Sequence, residues 1–277
     1  MKHQEAGFKG YGDANLYYQC WLPDTEPRAV LVLAHGLAEH GGRYANVVDH
    51  LVPRGYALYA PDHRGHGRSE GGRCYVERFE HYLNDLEAFL AIVRREQPNC
   101  RLFLYGHSMG GTIALAYALQ HQSELDGLII TGAVLRPGSS ITAVHVLAAR
   151  ILSALLPRMG VTALDNGGIS QDPEVVQAYV NDPLVYCGKV TARLGAEFLR
   201  VMQQLPTQVK GVHLPVLIMH GTEDILSDPQ SSQLLYDRVP SEDKTLIFYE
   251  DYYHEIHNEP GRERVLVDMA GWLEART

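Results

Sequence analysis

An α/β fold is what the 277-residue sequence predicts: a mostly parallel central sheet flanked by helices, with an inserted helical cap. Three observations predict it. Short continuous apolar runs such as Ala29–Ala34 (AVLVLA) and Gly127–Thr131 (GLIIT) alternate with amphipathic stretches, as when strands are buried on both faces by helices. The apolar run 102–105 meets Gly106-His107-Ser108-Met109-Gly110-Gly111, and a helix-forming stretch, 112–121, follows at once, giving strand, sharp turn, helix. From about Val134 to Val212 the strand pattern stops and the composition turns helical, far beyond the roughly 4–6 residues of an ordinary connection.

Taken in order, 16–22 (LYYQCWL) is rich in β-formers and is broken by Pro23, which predicts an early strand. Ala29–Ala34 predicts a buried strand opening into the loop His35-Gly36-Leu37-Ala38-Glu39-His40-Gly41-Gly42. Over 43–53, Tyr44, Val47, Val48 and Leu51 share one helical face. A short strand is expected at 56–60, running into Pro61-Asp62-His63-Arg64-Gly65-His66-Gly67-Arg68-Ser69, and a helix over 79–96. Within the interruption, 142–156 predicts an amphipathic helix carrying Val144, Leu147, Ala148, Ile151, Leu155 and Leu156. Asp172-Pro173-Glu174 is a helix-start signal, and 194–205 reads as another helix. The sheet rhythm resumes with a strand at 216–219, a helix at 230–237, a strand at 245–249 and a last helix at 262–275. The expected division is a core of residues 1–133 and 213–277, with 134–212 as a cap over the active site.

Composition narrows the class. An apolar content of 45% and a charged content of 21% are those of an ordinary soluble globular chain. A net charge of -9 argues against a nucleic-acid partner, because phosphates need a basic face. Cys20, Cys74, Cys100 and Cys187 share no metal-ligand or Cys-x-x-Cys spacing and read as reduced thiols. The histidines form no ligand spacing with a nearby third donor, so no metal is expected. Met1-Lys2-His3-Gln4-Glu5 lacks the apolar core of a signal peptide, and no run is long enough to cross a bilayer. The expectation is a soluble cytoplasmic protein; its oligomeric state is left open.

The chemistry sits on the Gly-x-Ser-x-Gly turn. A serine hydroxyl needs a base to take its proton, and the base needs a third group to fix its tautomer. Where such an elbow tops a parallel sheet, the acid follows in the chain and the histidine comes last. His220-Gly221-Thr222-Glu223-Asp224 follows the strand at 216–219, and Asp251-Tyr252-Tyr253-His254 follows the strand at 245–249. Ser108, Asp224 and His254 are therefore the expected nucleophile, acid and base, with Glu223 and Asp228 as alternative acids and His257 as an alternative base. The oxyanion donors should be the N–H groups of Met109, just after the nucleophile, and Leu37, in the loop after the strand Ala29–Ala34. His35, Asp62 and the run Gly65 to Ser69 are expected to brace loops by hydrogen bonding rather than to do chemistry.

Several stretches together resemble the bacterial-type monoacylglycerol lipases of the α/β-hydrolase superfamily. They are the elbow Gly106 to Gly111, the loop from His35 to Tyr44, and Asp62 to Ser69. Thr222-Glu223-Asp224 with its preceding His220-Gly221, and Tyr253-His254-Glu255-Ile256-His257-Asn258-Glu259, match as well. So do Ile169 to Val176 and Asn181 to Val185 within the interruption, so the likeness covers nearly the whole chain. The resemblance implies Ser108, Asp224 and His254 as catalytic residues, Leu37 and Met109 as oxyanion donors, and no cofactor. It implies hydrolysis of a lipid ester, monoacylglycerol to glycerol and fatty acid. Lysophospholipase, short-chain carboxylesterase and serine aminopeptidase-like activity are the enzymatic alternatives; a non-catalytic binding module is the alternative from another class. The acyl chain is expected along the helix at 142–156, at Leu147, Ile151 and Leu155. His257 departs from the family pattern, which has an apolar residue there, and is expected at the pocket rim. Transient contact of the cap with a membrane or micelle surface, hence a peripheral association, is a further expectation.

Overall fold

A computed structural model describes residues 1–136 and 143–277, with 143–145 described by backbone alone. The chain begins with β1 (Lys2–Lys9), β2 (Asn15–Leu22), β3 (Ala29–Ala34), α1 (Ala45–Leu51) and β4 (Tyr56–Pro61). It continues through α2 (Glu80–Glu96), β5 (Arg101–His107), α3 (Met109–His121) and β6 (Gly127–Thr131). Then come α4 (Ala143–Leu155), β7 (Gly160–Ala163), α5 (Pro173–Asn181), β8 (Lys189–Thr191) and α6 (Ala192–Gln208). It ends with β9 (Val216–Gly221), α7 (Gln230–Arg238), β10 (Lys244–Tyr249) and α8 (Glu263–Glu274).

Eight strands form one sheet in the order β1-β2-β4-β3-β5-β6-β9-β10. β1 pairs antiparallel with β2, and β2 with β4; the pairings from β4 to β10 are parallel. The period-2 alternation of a strand decides which residue meets which layer. Along β3, Val30 and Val32 join the cluster with α2 and α3, including Phe89 and Ile113. Leu31 and Leu33 face the other way, into a second cluster with α1 and α8 that includes Val47, Leu51 and Trp272. Because the central strands are parallel, β3, β5, β6, β9 and β10 deliver their C-terminal ends to one edge of the sheet, and the loops that follow them gather there.

β3 and β6 have the expected bounds. The helix expected over 43–53 is split: a 3₁₀ turn, Gly41–Tyr44, leads into α1, and another, Val52–Arg54, ends it, with Pro53 unable to donate into a continuing ladder. β1 was not expected from the sequence. Its pattern KHQEAGFK buries only Phe8, so this edge strand is held by its antiparallel ladder and not by an apolar face. Thr142, the expected first residue of a helix, lies outside the described residues. Between β6 and β9, α4 packs on α6 and β7 pairs antiparallel with β8. Asp172 caps α5 as its signal required, its side chain accepting from the Glu174 N–H. All four cysteines are free. No helix among the described residues is long and apolar enough to cross a membrane.

Candidate active site

Ser108 stands between β5 and α3 with φ +53° and ψ −116°, a backbone region that non-glycine residues rarely occupy. Strain of this kind costs about 1–3 kcal/mol and persists only where neighbours over-determine it. Here the Ser108 N–H donates to the Thr131 carbonyl of β6 at 2.9 Å, and the Thr112 N–H donates to the Ser108 carbonyl at 3.2 Å. The flanking glycines allow the close approach. A Cβ on Gly110 would overlap the carbonyl oxygens of Ala34 and His35, and one on Gly106 would lie 2.7 Å from Gly111 Cα. Met109 is the first residue of α3, so its N–H has no acceptor within the helix and sits at the positive end of the dipole.

The loop after β3 is held open by side chains that accept its backbone donors. Glu39 Oε1 takes the Gly36 N–H at 2.6 Å and the Tyr44 hydroxyl at 2.7 Å, and Oε2 takes Arg43 Nη1 at 2.9 Å. Ala38 has φ +69°, so this loop too is strained. His35 Nε2 accepts the His63 N–H at 2.9 Å, which leaves Nδ1–H to donate to the Gly36 carbonyl at 2.8 Å. Burial keeps the His35 imidazole neutral by driving its pKa well below the ordinary value, and pushes His63 down to about 3. Asp62 accepts the N–H groups of Gly41 at 2.9 Å and Arg68 at 2.8 Å. His35, Asp62 and the glycine-rich run therefore brace the loops, as expected.

His254 Nδ1 lies 2.6 Å from Asp224 Oδ2, with both groups buried. The same Oδ2 meets Ser227 Oγ at 2.8 Å and His220 Nε2 at 2.9 Å, while Oδ1 accepts the N–H groups of Leu226 at 2.8 Å and Ser227 at 2.9 Å. Burial works to raise the Asp224 carboxyl, but the His254 charge and these donors overrule it and hold it far below the usual range. Burial works to lower His254, and the Asp224 charge and hydrogen bond overrule that, leaving it raised. The competitors do not meet His254. Glu223 is exposed, and Asp228 pairs with Arg136 at 2.7 Å.

A cavity of about 460 Å³ opens on this group, within the usual range for a ligand site. Ser108, His254, Leu37 and Met109 all lie on its wall. The far greater part of the wall is apolar and comes from the segment between β6 and β9, with Ala148, Leu152, Val190, Leu194, Phe198 and Met202 contributing. Two sequence expectations are corrected here. Leu147, Ile151 and Leu155 are 58%, 52% and 73% exposed and absent from the wall; α4 turns Ala148, Ala149 and Leu152 to the cavity instead. The helix is apolar on more than one side, and it packs on α6. His257 is fully buried away from the cavity, its ring stacked on Tyr44 at 4.6 Å and 11°, and burial pushes its pKa down to about 4.

Sequence reasoning missed Ser227, His220 and the carboxylates of Glu39 and Glu255. The Asp224-x-x-Ser227 spacing is an Asx-type turn signal that would have found Ser227. The stripe Leu194, Phe198, Val201 and Leu205 on α6 is likewise readable as a face, though not as a cavity wall.

The model of the family described as "Serine aminopeptidase, S33" matches residues 25–261. A monoacylglycerol lipase of Mycolicibacterium smegmatis is 38% identical over 97% of this chain and 96% of its own. A monoglyceride lipase of Rattus norvegicus is 34% identical over 94% of this chain and 87% of its own. Among solved structures, a soluble variant of monoglyceride lipase from Saccharomyces cerevisiae in complex with a substrate analog matches with a TM-score of 0.89 at 28% identity, over 100% of this chain and 96% of that one. The Paleococcus ferrophilus monoacylglycerol lipase matches with a TM-score of 0.82 at 28% identity, over 100% of both chains. Matches of this extent, on a sheet whose loops bring a strained serine and a buried histidine–aspartate pair to one cavity, mean that the chain belongs to the monoacylglycerol lipase family of the α/β-hydrolases.

Proposed function

We propose that this protein is a serine hydrolase that cleaves monoacylglycerol to glycerol and a fatty acid. One observation carries the reading: Ser108 and His254, the latter paired with buried Asp224, share the wall of a cavity that is for the most part apolar. Asp224 occupies His254 Nδ1, so the proton of Ser108 is taken on Nε2 as the hydroxyl attacks the ester carbonyl. The tetrahedral oxyanion is held by the N–H groups of Leu37 and Met109. His254 then protonates the departing glycerol oxygen, and a water activated by the same imidazole clears the acyl-enzyme. Residues 134–212 act as a cap, and the acyl chain lies along Leu152, Leu194, Phe198 and Met202.

The family model's description includes aminopeptidases, but a predominantly apolar wall suits an acyl chain better than a peptide. Hydrolysis rates on monoacylglycerols, lysophospholipids, nitrophenyl esters and aminoacyl arylamides test this. Monoacylglycerol should lead, and a leading rate on arylamides would replace the ester reading.

The outward stripe of α4, with Leu147, Ile151 and Leu155 continued by exposed Leu156 and Met159, is the surface through which the cap meets lipid. With a net charge of -9 the attraction is apolar, so zwitterionic vesicles should serve as well as anionic ones. Vesicle flotation at low salt is the check, and a protein that stays at the bottom of the gradient contradicts the contact.

A further inference from the structure

The cavity wall has a one-sided charge. Among the described residues, its charged side chains are Glu39 and Glu255, beside the imidazoles of His107 and His254. No lysine or arginine lines it, and residues 137–142 contain none. The cation that meets these carboxylates is Arg43, and both are saturated by the meeting. Arg43 Nη1 donates to Glu39 Oε2 at 2.9 Å and also to Glu255 Oε1, and Nη2 donates to Glu255 Oε2 at 2.9 Å. The Tyr179 ring lies over the guanidinium at 4.4 Å and is itself on the cavity wall, so Arg43 is covered as well as paired.

This cluster flanks the place where the alcohol half of an ester must sit. The leaving oxygen has to come within reach of His254, and the carbonyl oxygen has to face the Leu37 and Met109 N–H groups. Glu255 follows His254 in the chain, and Glu39 lies two residues past Leu37. Resting on the hydrolase reading, we propose that the cavity accepts acyl esters of uncharged or cationic alcohols and rejects those whose alcohol bears a phosphate or carboxylate. Glu255 sets this selection by saturating Arg43. Burial raises the Glu255 carboxyl, but the Arg43 charge overrules it and keeps it below the usual range. Burial pushes Glu39 up despite Arg43, so near neutral pH the three groups carry no surplus positive charge. An anionic headgroup would leave water and find no free donor of opposite charge, the costly case for a buried ion. In Glu255→Gln, Arg43 keeps Glu39 on Nη1 but loses its bidentate partner, so Nη2 and the freed positive charge are left for a phosphate.

The test compares kcat/KM on 1-octanoylglycerol, 1-octanoylglycerol 3-phosphate and octanoylcholine, all below their aggregation concentrations. Wild type should favour the glycerol ester over its phosphate by roughly thirtyfold, about what a buried polar group left without a partner costs. The choline ester should stay within about tenfold of the glycerol ester, since a trimethylammonium needs no hydrogen-bond partner and two carboxyl groups stand against one guanidinium there. In Glu255→Gln, checked for a cooperative melt, the preference should narrow by about tenfold or more through a gain on the phosphate substrate. Equal wild-type rates on glycerol and phosphate esters overturn the proposal. So does equal rejection of both charged esters, because the selection is then not one of sign, and so does an unchanged preference in a folded Glu255→Gln. The wild-type order needs no variant, so the proposal stays exposed if Glu255→Gln fails to fold. No turnover of any of the three, or of 4-nitrophenyl octanoate, would instead remove the hydrolase reading on which the proposal rests.

Discussion

The loops at the C-terminal edge of the sheet and the segment between β6 and β9 meet at one cavity but are built by different rules. The edge loops are fixed by backbone strain and buried polar contacts. Ser108 and Ala38 have positive φ, Glu39 accepts three donors, and Asp224 is met through five contacts to His220, Leu226, Ser227 and His254. The intervening segment offers mostly apolar surface, inward from Leu152, Leu194 and Phe198 and outward from Leu147, Ile151 and Leu155. Strain and hydrogen bonding fix positions to fractions of an ångström, as proton transfer demands; apolar contact is non-directional and suits a flexible chain. Changes on the first side should therefore abolish turnover, while changes on the second should redistribute it among substrates.

The largest expected effect is on the first side. His254→Ala and Asp224→Asn should each lower kcat by on the order of 10⁴ with the fold intact, as steady-state kinetics and circular dichroism would report. A near-normal rate in either would mean that another residue serves. Gly110→Ala is next, since its Cβ would collide with the Ala34 and His35 carbonyls, which belong to backbone and cannot swing away. A loss of about 3–5 kcal/mol in denaturant unfolding is expected, and a change under about 1 kcal/mol would show that the elbow is not held as tightly as described.

Substitutions on α4 should split the second side in two. Leu152→Trp fills the cavity and should cut kcat/KM for long-chain esters by roughly a hundredfold while leaving acetate esters within about threefold. Ile151→Ser with Leu155→Ser should do the reverse: soluble short esters unchanged, turnover at micelles or vesicles down by roughly three- to tenfold. Identical behaviour of the two would erase the distinction between inward and outward faces.

The reasons for that split also explain what the sequence could and could not reveal. The strands β3 and β6 were readable to the residue because buried parallel strands are unbroken apolar runs. Chain order and strand ends single out Ser108, Asp224 and His254 as the proposed triad, and the Asp224–His254 contact is consistent with it. β1 escaped because a polar edge strand has no apolar signature. The cavity face of α4 escaped because most of its positions are apolar, so periodicity does not say which side meets α6 and which meets solvent. Glu255 looked ordinary because its partner Arg43 is 212 residues away in the chain. His257, placed at the rim for being unusual, is packing behind the site.

The smallest expected effect is a shift in pH dependence. As the proposed base, His254 must be neutral to accept the serine proton, and Asp224 raises its pKa above the ordinary 6.5. kcat/KM should therefore fall as pH drops through that raised value, with the midpoint of the acid limb above 6.5. The stability linked to His254 runs the other way. It is fully present below the unfolded histidine pKa, about 6.5, and is lost as pH rises through the raised folded value. Asp224, held low, contributes stability above about pH 3.9 that is lost as pH falls below it. An acid limb centred below 6.5 would mean that the Asp224 contact does not govern the base.

If Ser108 is the nucleophile facing a cavity that takes an acyl chain, a long-chain electrophile should label it and nothing else. Intact-protein and peptide mass spectrometry after treatment with a long-chain alkyl fluorophosphonate test it most directly. One adduct, mapped to Ser108 and absent from Ser108→Ala, is the predicted result. A wild-type protein that takes up no reagent, or an adduct that survives in Ser108→Ala, would contradict the account.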